Sequence, residues 1–153
     1  MLQTALMTFN GLPLHVLVVH LTVVTLPALV LVSLVSLHPR WRDRLRIPAV
    51  GLALFTAALV WFTVKTGESF QHDKFPTPTA TLKQHIDAAN TLKWVTYGFA
   101  AFALVRLALH RRSGVVRLVL SAALIVGVVA LGYFTFKTGE AGARDSYGGY
   151  YSH

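Results

Sequence analysis

Residues 12–37 run for 26 positions without a Lys, Arg, Asp or Glu. A helix of about 20 apolar residues spans the ~30 Å hydrocarbon core of a bilayer, so this stretch confines the chain to folds in which at least one helix crosses a membrane. Two imidazoles, His15 and His20, lie in the first third of the run. Ionisable side chains inside such a segment are costly and usually face a bundle interior or a polar cavity, which makes both histidines candidates for a functional site.

Three further helices are expected over 48–65, 82–109 and 115–137, with an extracytoplasmic loop at 66–81 and an extracytoplasmic tail at 138–153. The fold class is therefore all-α, a single integral membrane four-helix bundle. Composition agrees, since 54% of the 153 residues are hydrophobic, 13% are charged and the mean hydropathy is +0.56, well outside the range of a soluble domain. There are no cysteines, which rules out disulfides and thiolate-held metals or clusters. Residues 1–10 contain no basic segment or small-residue cleavage site, so the first helix is expected to be retained.

Local signals sharpen the boundaries. Asn10 suits an N-cap ahead of Pro13, and Thr81 with Gln84 has the form of a capping box. Pro27 is expected to kink the first helix, with neighbouring helices or the Thr22 and Thr25 hydroxyls relieving the lost backbone bond. Gly67 and Gly139 suit left-handed C-cap positions, with Lys65 and Lys137 reaching toward the interface.

Orientation follows from the arginines. The loops after the first and third helices hold Arg40, Arg42, Arg44, Arg46, Arg111, Arg112 and Arg117 against Asp43 alone, whereas the opposite side mixes both signs. The positive-inside rule puts the arginine loops in the cytoplasm and both termini outside, as expected of a multi-pass protein of a bacterial inner membrane. It also accounts for much of the net charge of +8 without a nucleic-acid partner.

The chain repeats itself. Residues 61–68 read WFTVKTGE and residues 133–140 read YFTFKTGE, an offset of 72 that also carries His38 onto His110. Each half is one helical hairpin starting on the same side, a parallel repeat about an axis along the membrane normal. With a two-residue gap, His15 corresponds to His85 and His20 to Asn90.

By helical rise His15 lies roughly 33 Å and His85 roughly 36 Å above the arginine ends of their helices, whereas His20 is about 25 Å up and about 140° round from His15. His15 and His85 are thus matched in depth, and either His15 or His20 is a candidate to face His85. His72, Glu68, Glu140 and Asp87 share the outer side and complete a set of nitrogen and oxygen donors suited to Zn or Cu.

The opening Gly11–His20, G-L-P-L-H-V-L-V-V-H, the basic loop after the first helix, the outer histidine before the third and the Gly-Glu near the end of the fourth resemble a bacterial family of four-helix membrane proteins of unknown function. Members of that family typically open with H-P-x-x-V-H-F-P. Here Val16 stands for the first proline of that motif and Leu21-Thr22 for the Phe-Pro pair. The resemblance implies a four-helix bundle distantly akin to two-haem membrane cytochromes, with His15, His20 and His85 as its polar centre.

Three readings follow. A b-type haem bound by histidines of different helices would make the chain an electron-transfer component. A Zn or Cu ion held by His15, His72 and His85 with Glu68 or Glu140 would make it a metal protein. With no cofactor, it would be a non-catalytic accessory subunit of a larger membrane complex, such as a respiratory assembly, or a homo-oligomer, packed through the small-residue patches Ala57-Ala58, Ala100-Ala101 and Ser121-Ala122-Ala123 with Gly127. Independent enzymatic activity is not expected in any of the three.

Overall fold

The computed structural model describes residues 8–9, 12–74, 77 and 79–147. Four helices carry the fold: α1 (Leu14–Val35), α2 (Pro39–Lys74), α3 (Ala80–Ala108) and α4 (Val115–Tyr147). Ahead of α1, Thr8–Phe9 pairs antiparallel with Leu12–Pro13. α1 and α3 each pack on both α2 and α4, giving a four-cornered bundle in which consecutive helices run in opposite directions.

Three of the four helices are long and apolar enough to cross a membrane: α1, α2 over Pro39–His72, and α4 over Val115–Arg144. α3 is the more polar helix and stands between α2 and α4. The outer surface is apolar to a degree that water would not tolerate, with Val24, Leu118, Val126 and Phe136 each about 70% exposed. A bilayer is the solvent that matches it.

The core is built from Leu26, Leu29, Val60, Phe99, Leu124 and Leu131 with small residues Ala53, Ala100 and Ala103 between them. Buried threonines thread through it, and Thr22, Thr56 and Thr96 each donate to the carbonyl four residues back in their own helix. Thr22 and Thr63 hydroxyls also meet at 2.7 Å, tying α1 to α2. Among the described residues no buried side-chain polar atom lacks a partner, as a low-dielectric interior requires.

Several boundaries differ from those read in the sequence, and the differences are where the site is made. α2 opens at Pro39 rather than near 48, because His38 acts as its N-cap: its carbonyl accepts from Trp41 and Arg42 and its Nδ1 accepts from the Arg40 amide. Pro39 then takes the first helical position, where its missing N–H is not needed. The arginine-rich segment is thus mostly the first turns of α2.

At the other end α2 passes the expected stop at 65 by nine residues and α4 passes 137 by ten. Gly67 and Gly139 are interior helical residues, not left-handed caps. The only described glycine with positive φ is Gly114, at +62°, in the turn feeding α4. Salt bridges Lys65–Glu68 at 2.7 Å and Glu140–Arg144 at 2.6 Å, both along one helix face, support the extensions. At 1.5 Å per residue α2 is roughly 54 Å long, well beyond the hydrocarbon thickness.

The N-cap of α3 is Thr79, whose hydroxyl accepts from the Leu82 amide, two residues before the expected Thr81. α1 continues as helix through Pro27, and Thr22 and Thr25 donate to the Val18 and Leu21 carbonyls rather than to the Val23 carbonyl that the proline leaves free. The Thr22 hydroxyl also meets Thr63 of α2, and neither hydroxyl reaches the Val23 carbonyl. The expected cap at Asn10 and the last residues of the tail, 148–153, lie outside the described residues.

Candidate functional site

The helical extensions of α2 and α4 flank the starts of α1 and α3, and each receives one histidine. His15, one residue into α1, directs its Nδ1–H at the Thr63 carbonyl of α2, 3.2 Å away, with the Thr66 hydroxyl at 3.3 Å. Thr66 in turn donates to the same carbonyl at 3.0 Å. The ring is half-buried and stacks on Phe70 with centroids 6.1 Å apart and planes 20° from parallel.

Its edge lies on Gly67. A Cβ there would come to 2.9 Å from the His15 Cε1, so only glycine lets the ring approach α2 this closely. The ring edge turned to Gly67 carries both nitrogens, with Nδ1 3.3 Å and Nε2 3.6 Å from the position of that Cβ.

His85 repeats the arrangement on the second hairpin. Its Nδ1–H meets the Thr138 carbonyl of α4 at 3.1 Å and its ring edge rests on Gly142, where a Cβ would fall 3.0 Å from Cε1. The ring is half-buried as well. The two sites are not related by the 72-residue offset of the KTGE motif: a Cβ added at Gly139, the counterpart of Gly67, would meet nothing within 4 Å, and the contact moves one turn on to Gly142.

His15 and His85 stand at the starts of α1 and α3, one anchored on α2 and the other on α4. In both, a carbonyl acceptor fixes the proton on Nδ1 and leaves the Nε2 lone pair without a partner among the described residues. An imidazole that ligates a metal has this tautomer and this kind of supporting hydrogen bond.

The remaining candidates lie apart from this pair. His20 is on the exposed face of α1, among Val16, Leu17, Leu21 and Val24, and its Nδ1–H is turned back onto the Val16 carbonyl at 2.6 Å. His72 is exposed near the end of α2, and Asp87 is exposed on α3. Glu68 and Glu140 are occupied by Lys65 and Arg144 of their own helices. Among the described residues no three His, Asp or Glu side chains are gathered closely enough to hold a metal ion.

Thr63, Thr66, Phe70, Thr138 and Gly142, which hold the two rings, are not singled out by the sequence. Only the near-repetition of KTGE beside the histidines signals them. The small-residue patches divide: Ala100 is buried and Gly127 receives the Phe99 ring, whereas Ala58, Ala101, Ala122 and Ala123 face outward.

No protein-family model, curated protein or solved structure matches this chain.

Proposed function

We propose that the chain is a four-span membrane protein that binds a b-type haem through the Nε2 atoms of His15 and His85, and that it serves as an electron-transfer component. The observation that carries the reading is the shared anchoring of the two rings: each Nδ1–H is held by a carbonyl of the neighbouring helix, so each ring offers Nε2 alone. The donor set fits a haem iron, which the two neutral imidazoles of His15 and His85 would hold. It fits Zn or Cu less well, because no third donor accompanies the pair among the described residues.

When bound, a haem supplies one-electron oxidation and reduction. The protein's part is to hold the two imidazoles in one tautomer, exclude water with Phe70 and the helix ends, and leave glycine where a side chain would push the rings away. The resemblance of the Gly11–His20 opening to a four-helix family points in the same direction. In this reading α3 is the fourth span, the histidine end faces outward and the arginine end is cytoplasmic, by the charge asymmetry between the two ends.

The test is a spectrum of protein purified in mild detergent from haem-replete cells. A Soret band that sharpens and shifts on dithionite reduction, with about one haem per chain or per dimer by pyridine haemochrome assay, supports the proposal. Colourless protein under the same conditions overturns it.

One observation favours a second reading, an accessory or self-associating subunit. His20 places an imidazole in the middle of a lipid-facing apolar surface, where its Nε2 has no partner among the described residues. Contact with a further membrane helix would supply one. His20→Leu is expected to change assembly without changing the spectrum if this holds, and an unchanged oligomeric state removes the reading.

A further inference from the structure

The opposite end of the bundle carries a different feature. Arg106, on α3, is half-buried and reaches across to the end of α1, where Nη1 donates to the Ser36 hydroxyl at 2.9 Å and Nη2 to the Ser36 carbonyl at 3.2 Å. A guanidinium with only neutral partners inside a bundle leaves its charge uncompensated. Arg42, on α2, carries the same sign of charge and offsets none of it.

The two arginines line a cavity of about 60 Å³ between the helix ends, together with Arg46, Arg112 and Arg117. Asp43 is the one acid in the lining, and it forms no ion pair with any of these five arginines among the described residues. The floor is mixed, with Ser33 and Ser121 beside Phe99 and Leu124. At ~10–15 Å³ for each water-sized group, the cavity has space for roughly four to six oxygens.

Loop arginines that merely set orientation need no cavity, and surface arginines need no buried member. Here five arginines from α2, α3, α4 and the turn before α4 line one space the size of a phosphate, at the end of the bundle where the helices turn. Planar guanidiniums bind phosphate oxygens in bidentate fashion. Basic pockets between helices at a membrane face are suited to anionic headgroups.

We propose that this arginine-lined cavity binds the phosphate of an anionic phospholipid headgroup, with Arg106 as its innermost contact and the acyl chains lying along the neighbouring apolar helix surface. The site rests on the membrane reading and is independent of the histidine pair, so the haem proposal can fail without touching it.

The test uses the full chain in mild detergent, doped with phosphatidylglycerol or with phosphatidylcholine, and reads bound lipid by native mass spectrometry and the shift in thermal unfolding midpoint. The expected result is retention of phosphatidylglycerol, but not phosphatidylcholine, and a loss of at least tenfold in apparent affinity for Arg106→Gln. Because that variant alters a half-buried contact, Arg112→Gln with Arg117→Gln provides a second, more exposed reduction of the same cavity and is expected to weaken binding similarly. Arg40→Gln with Arg111→Gln, two basic residues outside the lining, is expected to leave it unchanged. Equal loss in that control pair, equal binding of phosphatidylcholine, or an equal effect from inorganic phosphate alone overturns the assignment, the last by showing that the ligand is a soluble anion.

Discussion

Gly67 offers the sharpest check on how the histidine end is built. In Gly67→Ala the new methyl would sit 2.9 Å from Cε1 and 3.3 Å from Nδ1 of His15, closer than a carbon can rest. The ring cannot simply swing aside, because it is held by the Thr63 carbonyl, the Thr66 hydroxyl and the Phe70 face. Overpacking of this kind costs about 1–3 kcal/mol. Losing the ring's hydrogen bond adds about 0.5–1.5 kcal/mol. Replacing glycine by alanine within a helix returns about 1 kcal/mol.

The net expectation is a loss of about 0.5–3.5 kcal/mol for Gly67→Ala, and a similar loss for Gly142→Ala beside His85. Gly139→Ala, in the second KTGE copy, meets nothing within 4 Å and keeps only the helical gain, so it is expected to stabilise by up to about 1 kcal/mol. Reversible unfolding in mixed micelles with increasing SDS, followed by circular dichroism, reads all three. If Gly67→Ala proved as stable as Gly139→Ala, the close ring-on-glycine packing would be refuted.

Other outcomes follow from single contacts. Gly114→Ala forces a side chain into a left-handed turn with φ of +62° and is expected to destabilise by about 1 kcal/mol, read in the same unfolding titration. Gly127→Ala would bring a methyl to 2.9 Å from Phe99 Cδ2, where α3 meets α4, and should cost about 1–3 kcal/mol. Glu68→Gln and Glu140→Gln break exposed salt bridges and are expected to change stability by less than about 1 kcal/mol, with no change in haem content; loss of cofactor in either would return the carboxylates to the site.

The helices themselves are legible in the sequence because charge-free length is a strong signal, and the four expected segments each fall within or nearly within an observed helix. Their ends are not. Lys-Thr-Gly-Glu reads locally as a stop, yet a glycine inside a helix also marks a place where another element must come close, and only the tertiary contact with His15 decides between the two. His38-Pro39 is a start signal hidden beneath the arginines that follow it. His15 and His85 can be paired by depth, whereas the exposed placement of His20 depends on rotation about an axis that the sequence constrains only loosely. Arg106 has a readable signal, a cation inside the apolar part of the third helix, but its Ser36 partner lies 70 residues away and no local pattern points to it.

Haem content across three variants measures most directly whether His15 and His85 act as a pair. Haem per chain would be determined for His15→Ala, His85→Ala and His20→Ala, each first shown to insert and to retain its helical circular dichroism. The prediction is that each of the first two loses the haem or leaves it five-coordinate, while His20→Ala keeps the wild-type spectrum. Retention of six-coordinate haem in His15→Ala or His85→Ala, or its loss in His20→Ala alone, would contradict the pairing.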